Sequence, residues 1–108
     1  MRIVWTDAAK NDVVDIRDYL KHAESLPFAP KITNEIRDAV AMLKQWPKYK
    51  GIYVQELEEL HLAQYRQLLA GQHRIISERG DNDICYTHLV CHTSRDLEAL
   101  LRRRLLSM

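Results

Sequence analysis

Two prolines, Pro27 and Pro30, interrupt a chain whose first 46 residues otherwise repeat with helical period, and this punctuation constrains the fold most. Before it, Ala9, Val13, Ile16 and Leu20 recur at +4, +3 and +4, the spacing of one apolar helical stripe. Thr6 stands where an N-cap belongs, and Asp7 in the first turn suits the positive end of the helix dipole. Asp12, Asp15 and Asp18 fall on the opposite face and are read as solvated. After the break at 26–30, Ile32, Ile36, Ala39, Val40 and Leu43 give a second amphipathic helix, closing near Trp46-Pro47. Pro30 fits the first turn of that helix, where no N–H is missed. Two short-linked helices form an antiparallel hairpin with one apolar face each. Such a hairpin needs a flat surface to cover.

The rest of the chain supplies one. Arg2-Ile3-Val4-Trp5 reads as a short strand. After a turn at 48–51 and a polar connector come three more: Tyr65–Leu69, His73–Ser77 and Ile84–Cys91. The first two are joined by a tight turn at Ala70-Gly71, the last two by Gly80-Asp81-Asn82-Asp83. Ile84–Cys91 is apolar on both parities and reads as a central strand. Thr93 or Ser94 would cap a final helix with Leu97, Leu100, Leu101 and Leu105 as its buried stripe. The expected fold is α+β: an N-terminal strand, a two-helix hairpin packed on an antiparallel sheet, and a short C-terminal helix. Residues 1–108 are expected to form a single domain.

Composition narrows the functions. With 16 Lys and Arg against 15 Asp and Glu, the formal charge is +1, so an anionic partner must be met by a patch. Residues 56–59 are acidic, whereas four arginines lie between Arg95 and Arg104. No apolar run approaches the ~20 residues of a bilayer span. The N-terminus lacks the ~7–15-residue apolar core of a signal peptide. The expectation is a cytoplasmic protein without membrane attachment.

Cys85-x-x-His88-x-x-Cys91-His92 gathers four metal-capable side chains. Strand alternation would send Cys85 and Cys91 to one face and His88 and His92 to the other, so no metal site and no cofactor are expected. The sequence contains no nucleophile elbow, P-loop, dinucleotide fingerprint or zincin motif. What remains is a set of cations tied to the sheet: Arg66, His73, Arg74, His88, His92 and Arg95. Arg66 and Arg74 are expected to lie near each other across their hairpin, an arrangement suited to phosphate or carboxylate. Each could equally be a solvated edge residue or pair with Glu78 or Asp96.

Several segments together carry a resemblance. They are Ile3-Val4-Trp5-Thr6-Asp7-Ala8-Ala9 with Asp12, Ile16 and Tyr19; Leu43-x-x-x-Pro47; Tyr65-Arg66-x-Leu68; His73-Arg74-Ile75-Ile76; and His92-Thr93-Ser94-Arg95-Asp96-Leu97. In this order they resemble the ParE/RelE toxin superfamily over nearly the whole chain. The resemblance implies a toxin component of a bacterial type II toxin–antitoxin system. It would be neutralised in a hetero-oligomer by a cognate antitoxin whose C-terminal segment wraps the sheet and helical hairpin.

The superfamily's RelE-like branch cleaves mRNA on the ribosome with basic side chains on the sheet and a C-terminal tyrosine or histidine. Arg66, Arg74 and His92 would be its catalytic candidates here. A second basic residue beside Arg66 is absent, Gln67 and Leu68 standing there, and no tyrosine follows Tyr86. The His92–Leu97 ending looks more like the ParE branch, which poisons DNA gyrase by binding. On that reading Arg66, Arg74, His92, Arg95, Arg102 and Arg103 are target-binding residues. One departure is Ser77, where the family usually has an aromatic. A non-toxic binding module that co-represses its operon with the antitoxin is a further alternative.

Overall fold

The computed structural model describes residues 1–23, 28–46, 52–59, 61 and 64–106. Its elements are β1 (Arg2–Trp5), α1 (Asp7–Ala23), α2 (Phe28–Gln45), α3 (Gln55–Glu59), β2 (Tyr65–Ala70), β3 (His73–Arg79), β4 (Ile84–His92) and α4 (Leu97–Leu101). A π-helical turn, Arg102–Leu106, continues α4. The expected turns at 26–27 and 48–51, the stop at Pro47 and the side chain of Leu105 lie outside the described residues.

The α+β architecture is the expected one, with two differences in its parts. The four-stranded sheet runs β1-β4-β3-β2 and is mixed, because β1 lies parallel to β4 while the other pairs are antiparallel. The connector expected to be only polar contains α3, whose Leu57 is fully buried. Local signals explain most boundaries. Thr6 Oγ1 accepts from the Ala9 N–H at 3.1 Å and caps α1. Asp96, rather than Thr93 or Ser94, caps α4, accepting from the Ala99 N–H at 3.1 Å. The β2–β3 turn falls at Gly71-Gln72, where Gly71 takes a φ of +59° that costs glycine little.

Both faces of the sheet are covered. On one side Val13, Ile36, Val40 and Leu43 of the helical hairpin pack on Leu68, Ile75, Cys85 and Val90. On the other, Leu57, Leu97 and Leu101 pack on Ile76, Leu89 and Cys91. Each fully buried Leu or Ile contributes about 1.5–3 kcal/mol from burial alone. This double cover explains why β4 is apolar on both parities.

A β-bulge allows β4 to serve both cores. Ser77 faces Thr87, but the next residue on β3, Ile76, faces Leu89, leaving His88 extra in the ladder. The extra residue reverses the alternation along β4. Cys85 therefore packs under the helical hairpin and Cys91 under α4, on opposite faces rather than the common face that strict alternation predicts.

Beside the bulge, β1 has ended. Its last pairing is Trp5 with Thr87, followed by the Thr6 N–H to the Thr87 carbonyl at 3.1 Å. Asp12 and Arg104 take over the uncovered edge of β4. Asp12 Oδ2 accepts the Val90 N–H at 2.9 Å, and Arg104 Nη1 donates to the His88 carbonyl at 3.1 Å. The guanidinium also grips the Asp12 carboxylate at both oxygens, at 2.7 and 3.0 Å. Asp12 is thus not solvated as the helical pattern suggested; its side chain is 15% exposed, against 53% for Asp18. The bidentate bond to Asp12 raises the Arg104 pKa above its ordinary value despite partial burial. Asp12→Asn should cost about 2–3 kcal/mol of folding stability, since it strands a cation and weakens two backbone bonds. Asp15→Asn and Asp18→Asn should stay within about 0.5 kcal/mol. Urea denaturation of the three variants checks this; equal costs would mean the pair is incidental.

Candidate functional site

The bulge and the strand register decide which of the sequence-predicted site residues meet. Arg66 stands opposite Ser77 and shares its face with Leu68, on the helical-hairpin side. Its guanidinium lies 3.6 Å from the centre of the Tyr53 ring, a cation–π contact. Arg74 stands opposite Leu69 and Cys91, on the α4 side. The two arginines are three rungs apart, about 10 Å along the strand, and point to opposite faces. The pairing expected across their hairpin is corrected: odd separation in register sends one to each side of the sheet.

His92 sits at the end of β4, facing His73 with the two rings edge to face at 5.4 Å. Its Nδ1 accepts the Ser94 N–H at 3.0 Å, and Ser94 Oγ lies 2.8 Å from the same atom. Nε2 is 3.1 Å from Gln72 Oε1. A backbone N–H on Nδ1 assigns the ring proton to Nε2, where it is donated to Gln72. Both nitrogens are thereby engaged in holding the β4–α4 turn to the β2–β3 turn. To act as a general acid, His92 would have to take a second proton on Nδ1 and displace the Ser94 N–H.

Arg95 is exposed in that turn, its own N–H on the His92 carbonyl at 3.0 Å. Arg102 pairs with Glu98 one helical turn back, at 3.0 Å on an exposed surface. Arg103 is exposed on the neighbouring turn. Of the C-terminal arginines, Arg104 is committed to the fold through Asp12. The predicted site residues therefore divide among the hairpin face, the α4 face, one sheet end and the C-terminal turn.

The Cys-x-x-His-x-x-Cys-His set disperses as well. Burial holds both cysteine thiols above their ordinary pKa, hence protonated near neutral pH. Ser77 is buried, and its side chain offsets part of the upward push on the Cys85 thiol. His88 lies on the α4 face, its Nε2 2.9 Å from Glu78 Oε1, with Tyr65 edge-on at 5.4 Å. Burial, and secondarily the Glu78 charge, raises the Tyr65 pKa. Among the described residues, no group of three His, Cys, Asp or Glu is placed to hold a metal ion.

Two surface grooves complete the geometry. One, of about 360 Å³, lies between α2 and β2 and is lined by Ala39, Met42, Trp46, Leu68 and Leu69. Met42, Trp46 and Leu69 are each more than half exposed there. The other, of about 370 Å³, runs between α1 and α2 over Trp5 and Val13, with Lys10, Arg17 and Arg37 among its lining. Sequence reading passed over the second groove. Lys10, Val14 and Arg17 at +4 and +3, with Thr33 and Arg37 at +4, are its signal, visible once the two helices are known to be neighbours.

Residues 3–97 match the profile of the ParE toxins of type II toxin–antitoxin systems, parDE, and the chain belongs to that family. A search among curated proteins gives no significant match. Among solved structures, one chain described as the chromosomal ParDE toxin–antitoxin system of P. aeruginosa superposes with a TM-score of 0.70. The match covers 85% of this chain and 95% of that one at 17% identity, a likeness of fold. No described helix is long and apolar enough to cross a membrane.

A buried titratable group, His73, faces His92 across the β3–β4 pairing. His73 is 7% exposed, and burial, reinforced by the His92 charge and opposed by Glu35, lowers its pKa from the ordinary 6.5. As pH falls, the unfolded chain therefore takes up this proton before the folded one does. The stability His73 contributes is complete above about pH 6.5 and declines below it until the folded imidazole also protonates. His73→Gln should flatten the loss of stability between neutral pH and about pH 5, read from denaturation midpoints. An unchanged slope would reject His73 as its source.

Proposed function

We propose that this chain is the toxin of a type II toxin–antitoxin pair, acting in the cytoplasm. It would arrest growth by binding and poisoning DNA gyrase until a cognate antitoxin neutralises it. Family membership supports the toxin reading. The observation that carries the choice of target is the separation of Arg66 and Arg74 onto opposite faces of the sheet. In-line cleavage of RNA needs cations converging on one phosphate beside an acid and a base. Neither arginine supports the other, and both ring nitrogens of His92 are engaged, by Ser94 and Gln72.

As contact residues the same side chains need no convergence. Arg66, Arg74, Arg95, Arg102 and Arg103 then act as separate cationic contacts around one small body. His92 shapes the turn that carries Arg95. The apolar groove of Met42, Trp46 and Leu69 suits an antitoxin segment laid between helix and sheet.

Pulse labelling in bacteria, after induction without antitoxin, tests the target. Thymidine incorporation should stop before methionine incorporation. If methionine stops first, the protein is a ribosome-dependent nuclease; if neither stops, it is a binding module that acts only with its antitoxin. His92→Gln should leave growth inhibition intact and cost about 1 kcal/mol of stability, from lost hydrogen bonds in the turn. Abolished toxicity with unchanged stability would restore His92 as a catalyst.

A further inference from the structure

The groove between α1 and α2 combines an apolar floor with a cationic rim. Trp5, Val13 and Val14 form the floor, and the half-buried Trp5 also packs against the core beneath it. Lys10, Arg17 and Arg37, all exposed, form the rim. Lys10 and Arg17 are about 10 Å apart along α1, and Arg37 joins them from α2. No carboxylate is among the described residues that line the groove. Arg17 touches its sequence neighbour Asp18 at 3.4 Å, an exposed contact that contributes little and yields to a multivalent anion. Thr33, the remaining described lining residue, is buried, and its hydroxyl is donated to carbonyls of its own helix, Ala29 and Pro30, at 3.1 Å. Recognition in this groove therefore rests on ring contact and positive charge.

We infer that the α1–α2 groove binds a nucleoside triphosphate, its base against the Trp5 ring and its phosphates along Lys10, Arg17 and Arg37. The volume of about 370 Å³ falls within the ~300–1,000 Å³ of small-molecule sites. Cations strung along two helical turns match the charge strung along a phosphate chain, whereas a single phosphate needs its donors together. The two guanidinium groups offer forks that suit phosphate oxygens, and Lys10 adds a point charge. A single-stranded nucleic acid fits less well. It stacks on successive aromatic rings, and Trp5 is the one ring among the described lining residues. With Thr33 spent on its own helix, no neutral donor remains among them to read a base edge, so adenine and guanine serve alike. The bound nucleotide spans both helices of the hairpin and stabilises the folded chain by mass action.

The full-length chain, carrying Trp46→Phe so that Trp5 is its only tryptophan, is titrated with ATP, GTP, adenosine and inorganic tripolyphosphate. Free tryptophan, titrated in parallel, corrects for light absorbed by the base. ATP and GTP should quench Trp5 emission with similar midpoints and raise the melting temperature as their concentration rises. Adenosine should do neither, and tripolyphosphate should bind more weakly than ATP. Arg17→Gln combined with Arg37→Gln should weaken ATP binding about tenfold or more at low salt, two charge-assisted contacts being lost. The gap should narrow at high salt. Lys44→Gln, on α2 but outside the groove, should bind as the parent does. Denaturation midpoints without nucleotide establish that these exposed changes leave the fold intact.

A chain that neither melts later nor changes its Trp5 emission with ATP would overturn the inference, as would binding that ignores the Arg17 and Arg37 replacements. Tripolyphosphate binding as tightly as ATP would leave a polyanion site without a base and overturn the nucleoside assignment. A response to an oligonucleotide but not to ATP would make the groove a strand-binding surface and overturn it too. Each of these results leaves the toxin assignment standing, because pulse labelling tests that assignment separately.

Discussion

The Asp12 carboxylate holds together three parts of the chain that share no local sequence. It sits on α1, bonds the backbone of β4 at Val90, and is clasped by Arg104 from the C-terminal turn. The need for it follows from the sheet. β1 is only four residues long and β4 is nine, so half of β4 would present bare backbone groups at its edge. A charged side chain and its counter-ion finish the job that a longer strand would do. The pair lies partly buried, where unscreened attraction offsets much of the cost of dehydrating both ions. It also fixes where α4 and the π-helical turn lie, and with them Arg102 and Arg103.

The bulge at His88 is the second constraint, and the two are connected. His88 gives its carbonyl to Arg104, so the residue that breaks the ladder is also the one the clasp secures. Because the alternation reverses there, a single strand feeds the core under the helical hairpin with Cys85 and Val90, and the core under α4 with Leu89 and Cys91. Strict period 2 would have put Cys85 on the face of Leu89 and Cys91, away from Val90.

Helices and strands were legible where their signals are local. The +3/+4 stripes of α1 and α2, the Thr6 cap and the turn glycine Gly71 each act within a few residues, and each element stands where those signals put it. Features that depend on a partner distant in the chain were not legible. Asp12 reads as one more acid beside Asp15 and Asp18 until Arg104 is brought to it. The parallel pairing of β1 with β4 has no mark in Arg2–Trp5. A bulge leaves alternation looking like a uniformly apolar strand, so His88 gives no sign of its place. The face assigned to Arg74 relative to Arg66 depends on register counted through the turn, and there proximity in sequence misleads.

The candidate site was legible as an inventory and not as an arrangement. Arg66, Arg74, His92 and Arg95 read as cations on a sheet, and the fold gives each a different neighbourhood: a tyrosine face, the α4 side, a turn clamp and open solvent. That dispersion bears on mechanism. Catalysis by side chains needs a few groups held against one atom, whereas binding to a large protein rewards contacts spread over many square ångströms. A small fold that spends His92 and Arg104 on its own turns and edges, and distributes its remaining cations around the surface, fits the second case, the one proposed for this chain.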